Sequence, residues 1–273
     1  ATRLACKTCH TRASCPVCAG PLRVSAASRP PECTWCGAPA PDWECPECGG
    51  RELRAPVLGD RRTAEEIGRA FPAVRVRTSS ADRVLATTPA KPAVVVATPG
   101  AEPVAEGGYA AVVLLDTWLL LARVDLRAAE EALRRWANAA ALVRPGGRVL
   151  VVGDPAATAI QALVRWDAPG FARREIAERQ SAHLPPSSRV ATLVGAGDQL
   201  EAALAALELP PGAEVLGPVA ANASADDPEL RYVVRVPRTT GAQLSAALSR
   251  MQAGRSARKL PHVRVEVDPP SLG

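Results

Sequence analysis

All eight cysteines of this 273-residue chain lie between Cys6 and Cys48. They form four Cys-x-x-Cys pairs with none left over: Cys6/Cys9, Cys15/Cys18, Cys33/Cys36 and Cys45/Cys48. Two intervening residues allow a tight turn to point both sulfurs at one ion. A disulfide framework would need an oxidising compartment, and the first residues do not form the apolar core of a secretory signal. The pattern predicts two tetrahedral sites of four thiolates, with zinc favoured over an iron–sulfur cluster.

The spacing leaves the partnership of the four pairs open, because sequential, nested and interleaved arrangements are all possible. Gly37 and Gly49 directly follow the second cysteine of their pairs, where the turn favours a positive φ. Four thiolates close a site to water, so each zinc is expected to be structural. A segment of about fifty residues has little core of its own, and the metals are expected to supply much of its folding energy.

Composition places the whole chain among ordinary globular proteins. Apolar residues make up 47% and charged residues 22%, a typical balance. No apolar run reaches the ~18 residues of a spanning helix, so no membrane partner is expected. The net charge of +5 is mildly basic, and the pI near 8.9 does not by itself indicate nucleic-acid binding.

Residues 51–166 alternate between short apolar runs and helical patterns. The runs predict buried strands, and the one long amphipathic pattern predicts a helix that Pro145-Gly146-Gly147 ends: strands Val74–Val76, Val94–Ala97, Ala111–Leu115 and Arg148–Val152, and helix Ala128–Val143. Such alternation is typical of an α/β fold with a mostly parallel sheet. The phosphate-binding strings G-x-x-x-x-G-K-[ST] and G-x-G-x-x-G are both absent.

No catalytic residues are assigned from the sequence. Asp116 and Asp154 follow apolar strands, as catalytic carboxylates often do, but turns and helix caps explain them equally well. The three histidines His10, His183 and His262 lie far apart, and no nucleophile–base pair can be assembled from them.

Residues 167–273 follow a β-α-β-β-α-β order, which is the split βαβ or ferredoxin-like plan of an α+β domain. A helical stretch, Ala168–Pro186, precedes it. The six elements are Arg189–Val194, Asp198–Leu207, Glu214–Leu216, Leu230–Val236, Thr240–Met251 and His262–Val267. Asn222–Pro228 is expected to be a flexible tip. Five basic residues near the end are candidates for contacting DNA phosphates: Arg250, Arg255, Arg258, Lys259 and Arg264.

The assembled pattern resembles the C-terminal half of the PriA family, the bacterial replication-restart proteins also called primosomal protein N′. The resemblance covers essentially the whole chain. It is carried by the cysteine pairs and by short strings: Phe71-Pro72-x-Val74, Glu178-Arg179 before Leu184-Pro185-Pro186, Leu216-Gly217-Pro218-Val219, Arg231-Tyr232 and Val267-Asp268-Pro269.

The resemblance implies a three-part organisation. A zinc-ribbon-like two-zinc module, residues 1–50, would be inserted in a RecA-like second helicase lobe, residues 51–166, and an α+β domain would follow at residues 167–273. It also implies that the outer and inner cysteine pairs hold separate zinc ions: Cys6, Cys9, Cys45 and Cys48 hold the first, and Cys15, Cys18, Cys33 and Cys36 hold the second.

The same resemblance implies partners. The family recognises branched DNA such as stalled forks and D-loops, together with single-stranded DNA, in replication, repair and recombination. It binds single-strand-binding protein and other primosome components and reloads the replicative helicase. A cytoplasmic, nucleoid-associated protein is expected.

The chain departs from the family where active members carry helicase motifs. A G-T-Q-M-x-x-K-G string is replaced by Ala97-Thr98-Pro99-Gly100, with no Lys before Gly107-Gly108. A Q-x-x-G-R-x-G-R string is replaced by Asn138–Leu142, without its Gln, glycines or arginines. Loss of cations that face the γ-phosphate is expected to lower hydrolysis by ~10³-fold or more. ATP use is therefore not expected, and this degenerate lobe is interpreted as a scaffold.

Three hypotheses follow. The first is a factor that binds branched DNA and assembles the primosome without motor activity. The second is an active ATP-dependent 3′→5′ helicase, as in typical members of the family. The third is a zinc-ribbon adaptor that binds only protein.

Overall fold

The computed structural model describes residues 2–9, 11–24, 30–33, 36–54, 59–80, 83–123, 125–221 and 229–272. The chain divides into two compact units. The first takes in most of residues 1–168, and the second is formed mainly by residues 169–273.

The cysteine-rich segment is built from strands of two or three residues separated by tight turns. The strands are β1 Thr2–Arg3, β2 Ala5–Cys6, β3 Leu22–Val24, β4 Glu32–Cys33 and β5 Leu53–Arg54. They form a three-stranded antiparallel sheet in the order β1-β3-β4 and an antiparallel pair β2–β5. The β2–β5 pair joins the two ends of the segment, with Cys6 opposite Leu53.

The middle of the chain alternates strands and helices, as the apolar runs predict. Its elements are α1 Asp60–Ala70, β6 Arg75–Ser79, β7 Thr87–Thr88, β8 Ala93–Ala97, β9 Val104–Ala105, β10 Tyr109–Leu114, α2 Trp118–Leu121, α3 Ala128–Ala140, β11 Val143–Val151 and α4 Thr158–Arg165. The strands pair in parallel as β6–β8, β7–β9 and β10–β11. These are small separate sheets among the described residues, rather than the one sheet expected.

The joint between α3 and β11 differs from its prediction. The helix ends at Ala140, and Pro145-Gly146-Gly147 lies inside β11 instead of ending the helix. Gly146 has φ 77°, and the pairing register shifts where β11 passes Tyr109 and Ala111 of β10. The three residues thus form an irregularity within a strand, a position that favours glycine.

Helical spacing predicts a buried face of Ala129, Leu133, Trp136 and Ala140 on α3, and the observed buried face is offset from it. Leu133 and Trp136 are buried as expected, together with Ala128, Ala132 and Ala139. The polar side carries a bifurcated ion pair, because Glu131 accepts from both neighbouring arginines: Arg134 at 2.8 Å and Arg135 at 2.6 Å.

The second unit contains one four-stranded antiparallel sheet in the order β13-β14-β12-β15. After helix α5 its elements follow as strand, helix, two strands, helix and strand: α5 Ala168–Ser181, β12 Ser188–Gly195, α6 Gly197–Ala205, β13 Glu214–Ala220, β14 Leu230–Pro237, α7 Gly241–Ala257 and β15 Arg264–Val267. A short 3₁₀ turn, Arg238–Thr240, precedes α7. The expected tip Asn222–Pro228 lies outside the described residues.

One face of this sheet packs against α6 and α7. Side chains alternate across a strand, so Ala191 and Leu193 of β12 point to these helices, where they meet Leu200, Leu244 and Leu248 in a fully buried cluster. The opposite face carries Val190, Thr192 and Val194.

Among the described residues, no helix is both long and apolar enough to cross a bilayer.

Candidate metal centres

Backbone hydrogen bonds build the turns of the second and fourth cysteine pairs. In the second pair, the amide of Cys15 donates to Gly20 at 2.7 Å, and the amide of Ala19 donates back to Cys15 at 2.9 Å. The fourth pair repeats this pattern, with Cys45 donating to Gly50 and Gly49 donating to Cys45, both at 2.9 Å. The amide of Val17 also points at the sulfur of Cys15, 3.3 Å away. Each turn therefore brings two sulfurs, and some amides, to one side.

The structure brings the sulfurs together in two groups of four. Within each group, all four Sγ atoms lie within 4.8 Å of one another. The first group joins the outer pairs, Cys6, Cys9, Cys45 and Cys48, and the second joins the inner pairs, Cys15, Cys18, Cys33 and Cys36. The spacing left several pairings open, and the structure shows the nested one, in which the outer pairs form one group and the inner pairs the other.

The sulfur separations suit a metal better than a disulfide. The Sγ–Sγ distance is 3.6 Å between Cys6 and Cys48, and 3.5 Å between Cys9 and Cys45. In the second group, Cys18 and Cys33 lie 3.4 Å apart. A disulfide would need about 2.05 Å, whereas four sulfurs at about 2.3 Å from a central zinc lie about 3.8 Å apart. The donor set and its spacing therefore fit a tetrahedral ion.

The thiols of the first group do not ionise alike. Thr11, whose hydroxyl oxygen is 3.3 Å from the sulfur, holds the pKa of Cys9 down at about 6 through its side chain and its backbone. The backbone of Gly50 lowers the pKa of Cys48, but the sulfurs of Cys9 and Cys6 outweigh it and raise that pKa to about 12. Neighbouring thiolates repel one another. Four of them coexist stably only with a cation in their midst.

Gly50 packs directly against the first group. A Cβ added there would lie 3.2 Å from the sulfur of Cys6, 3.3 Å from that of Cys48 and 3.1 Å from the hydroxyl of Thr8. These separations are below ordinary van der Waals contact, so a side chain would push the sulfurs. Glycine at this position keeps the group compact.

The residue after the second cysteine has a positive φ in three turns. Gly37 has φ 72° and Gly49 has φ 68°, as predicted, and Ala19 adopts the same region with φ 58°. Sequence reasoning missed Ala19 because alanine, unlike glycine, does not indicate a left-handed backbone conformation. It also missed Thr11, although its position two residues after Cys9 was a usable signal.

The positions that replace the helicase strings hold internally paired groups. Pro99 accepts a hydrogen bond at 2.8 Å from Arg135, and Gly100 donates to the carboxylate of Glu102. Arg134 and Arg135, one turn before the Asn138–Leu142 site, both pair with Glu131. The hydrogen bonds and charge of these two arginines hold the pKa of Glu131 down at about 2. Arg134 and Arg135, in the turn before the altered string, are therefore engaged by partners within the chain.

The aspartates and histidines considered as catalytic candidates have the following local surroundings. Asp154 accepts from the amide of Ala156 at 2.9 Å, and the carbonyl of Asp116 accepts from Leu119 at the start of α2. His183 lies 2.7 Å from Glu214, and His262 is exposed. His10 lies outside the described residues.

The five candidate DNA-contacting residues divide between surface and interior. Arg250, Arg258, Lys259 and Arg264 are exposed. Arg255 is only 4% exposed, and its guanidinium donates to Pro261 at 2.8 Å and to Gln199 at 3.1 Å. Arg255 thus joins α7 to its surroundings and does not belong with the surface cluster.

The known proteins that this chain resembles are named for the primosome or for replication restart. The family described as "Primosomal protein N C-terminal domain" matches residues 180–270. The "Probable replication restart protein PriA" of Mycobacterium tuberculosis strain CDC 1551 is 46% identical over 290 residues. The protein of the same name from Mycobacterium leprae strain TN is 46% identical over 283 residues.

Both alignments take in 99% of this chain but only 44% of the relative, so the chain spans less than half the length of these curated proteins. The match nevertheless includes the cysteine-rich segment, the middle region and the C-terminal unit. Over the part of those proteins that it matches, this chain is PriA-like.

Proposed function

We propose that each cysteine group holds one structural Zn²⁺. The outer group Cys6, Cys9, Cys45 and Cys48 would hold one ion, and the inner group Cys15, Cys18, Cys33 and Cys36 the other. Four sulfur donors at near-tetrahedral separations favour zinc over oxygen-seeking cations such as Mg²⁺. With all four positions taken by sulfur, the ion would have no place for water and would organise the chain rather than react.

The proposed organisation has three parts: a two-zinc module at residues 1–50, a degenerate second helicase lobe at residues 51–166 and an α+β domain at residues 167–273. Parallel pairing of the apolar strands β6–β8 and β10–β11 supports the lobe. A ferredoxin-like plan for the last part is supported by its element order and by the antiparallel strand order β13-β14-β12-β15.

The function we infer is binding of branched DNA and assembly of the primosome in replication restart, without motor activity. The observation that carries it is 46% identity over nearly the whole chain to proteins named for replication restart. The absence of the motor is supported by the sequence at Ala97–Gly100 and Asn138–Leu142. It is supported further by the pairing of Arg134 and Arg135 with Glu131.

The partners in this proposal are forked and single-stranded DNA, single-strand-binding protein, other primosome components and the replicative helicase. ATP is not among the expected ligands. The protein would act in the cytoplasm, where the bacterial chromosome is replicated.

Fluorescence anisotropy with forked, duplex and single-stranded DNA at low salt tests the proposal. The chain should bind the fork most tightly, and verified removal of the metal should weaken that preference. No affinity for any of the three DNAs would favour a protein-only adaptor and overturn the proposal. DNA-stimulated ATP turnover by the protein purified from its own host would establish a working motor instead.

A further inference from the structure

A cavity of about 190 Å³ opens in the second unit on the sheet face that α6 and α7 do not cover. Thr192 and Val194 of β12 line it, with Arg231 of β14 beside them. Arg264 and Glu266 of β15 form another wall, and the segment after β15 closes one side through Pro270 and Ser271. Sites for whole small molecules usually occupy about 300–1,000 Å³, so this cavity suits a single chemical group.

Thr192 gives the cavity a polar floor. The residue is only 4% exposed, and it lines the cavity. The neighbouring Val190 and Val194 show that an apolar side chain is accepted on this face of β12. A hydroxyl can donate one hydrogen bond and accept others, and this one belongs to a residue that lines the cavity. A ligand with an acceptor oxygen would accept from it.

The charged residues that line the cavity determine which ligand charge fits it. Arg231 is held in place because one guanidinium nitrogen donates to the carbonyl of Leu272 at 2.7 Å, which leaves its other donors for a ligand. Arg264 lies 3.8 Å from Glu266, a separation too long for a strong hydrogen bond. Two guanidiniums and one carboxylate leave a net charge of +1. A singly charged oxyanion therefore fits best.

We propose that this cavity binds one phosphodiester group of a nucleic-acid strand, an assignment that rests on the DNA-binding function proposed above. A phosphodiester carries one negative charge and offers oxygens to planar guanidinium forks. The apolar walls of Val194 and Pro270 suit the sugar carbons on either side. Glu266 disfavours a doubly charged phosphate monoester, because its carboxylate repels the second charge.

The direct test follows amide resonances of this chain during titration with dimethyl phosphate, a minimal diester, and in parallel with inorganic phosphate. Dimethyl phosphate should shift Thr192, Arg231 and Ser271, and inorganic phosphate should shift them less. Thr192→Val, which keeps the side-chain shape, should weaken diester binding about 5-fold through loss of one hydrogen bond. Arg264→Ala should weaken it more, and Arg174→Ala, at an exposed arginine of α5 outside the cavity, should not change it.

A second arm measures forked-DNA affinity of the same variants against salt. Arg264→Ala should reduce the slope of log K against log salt by about 0.7–0.9, as expected for one lost phosphate contact. Equal fork binding by the wild type, Thr192→Val and Arg264→Ala would overturn the cavity assignment and leave the function standing. Diester shifts at the cavity without any fork binding would support the cavity and overturn the function. Stronger shifts with inorganic phosphate than with dimethyl phosphate would identify free phosphate as the ligand and overturn the diester assignment.

Discussion

The cysteine-rich segment and the C-terminal unit reach a defined structure by different means. In the described part of residues 2–54, the large buried apolar side chains are Leu4, Leu22 and Trp43, and the strands are two or three residues long. In the C-terminal unit, β12 and β14 each run for eight residues over a continuous buried cluster. The cysteine groups therefore take the place in the first region that the hydrophobic core has in the second.

This difference bears on what each region can do. A segment held by metal can present loops on a small rigid frame, because its backbone is fixed at the turns rather than by a thick interior. The C-terminal sheet buries one face under helices and leaves the other for a cavity and charged side chains. Breaking either means of stabilisation separately should show whether the two regions fold independently.

The largest effect is expected from removing the first metal. Cys6→Ser should unfold the segment locally and lower the metal content from two ions to about one per chain, since structural zinc contributes on the order of 10 kcal/mol to such folds. Elemental analysis gives the metal content. The indole N–H resonance of Trp43, which donates to Ser14 at 3.0 Å, reports the fold.

Cys15→Ser is the matched variant for the second group and should also remove about one ion. In both variants the amide resonances of β12 should persist, because the cluster around Leu193 and Leu244 is formed by the C-terminal unit itself. Iron, or no metal, in the wild-type protein would contradict the zinc assignment.

The next largest effect concerns the C-terminal core. Leu244 is fully buried, and Leu244→Ala should destabilise the C-terminal unit by about 2–5 kcal/mol through lost transfer energy and a cavity. Urea unfolding followed by hydrogen exchange at β12 and β14 measures it. The metal content should stay at two ions.

Leu216→Ala is the control, because Leu216 lies on β13 with 44% exposure and should cost much less. Loss of metal on Leu244→Ala would show that the regions are coupled, and it would contradict the independence argued above.

A smaller effect is expected at Gly50. Gly50→Ala should weaken metal binding by the first group about 10- to 100-fold, the range for residues that support metal ligands, because the new methyl group would press on the sulfurs of Cys6 and Cys48. Competition with a chromophoric chelator measures the affinity.

The control is Gly59→Ala, since no atom lies within 4 Å of a Cβ there and its φ is −59°. Gly59→Ala should leave the metal affinity of both cysteine groups unchanged. An unchanged first site in Gly50→Ala would mean that the turn adjusts without moving the sulfurs.

Local pattern was sufficient to predict most elements, and it failed where tertiary structure decides. The apolar runs located β8 and β10 to within about two residues. Helix α1 was not singled out, because Asp60–Ala70 is mostly polar and none of its residues is buried. The division into small parallel pairs is a property of the whole chain, which no local pattern encodes.

The site shows the same limits. Spacing identified the eight cysteines but not their partners, since that depends on where the chain returns. Arg255 was grouped with surface charges, although Leu244, Leu248 and Met251 precede it at helical spacing on the buried face of α7. Reading that periodicity would have placed Arg255 inside.

The smallest effect concerns the turns of the cysteine pairs, where equivalent positions should respond with opposite signs. Ala19 has φ 58°, a region that costs an L side chain about 1–2 kcal/mol. Ala19→Gly relieves this strain, but the greater entropy of the unfolded chain opposes it by about 0.4–1 kcal/mol, so a net stabilisation of up to about 1.6 kcal/mol is expected. Gly37→Ala should instead destabilise by about 1 kcal/mol, through backbone strain alone, because no atom lies within 4 Å of the added Cβ. Thermal release of metal measures both. Equal shifts in one direction would show that the metal, rather than the backbone, sets the conformation of these turns.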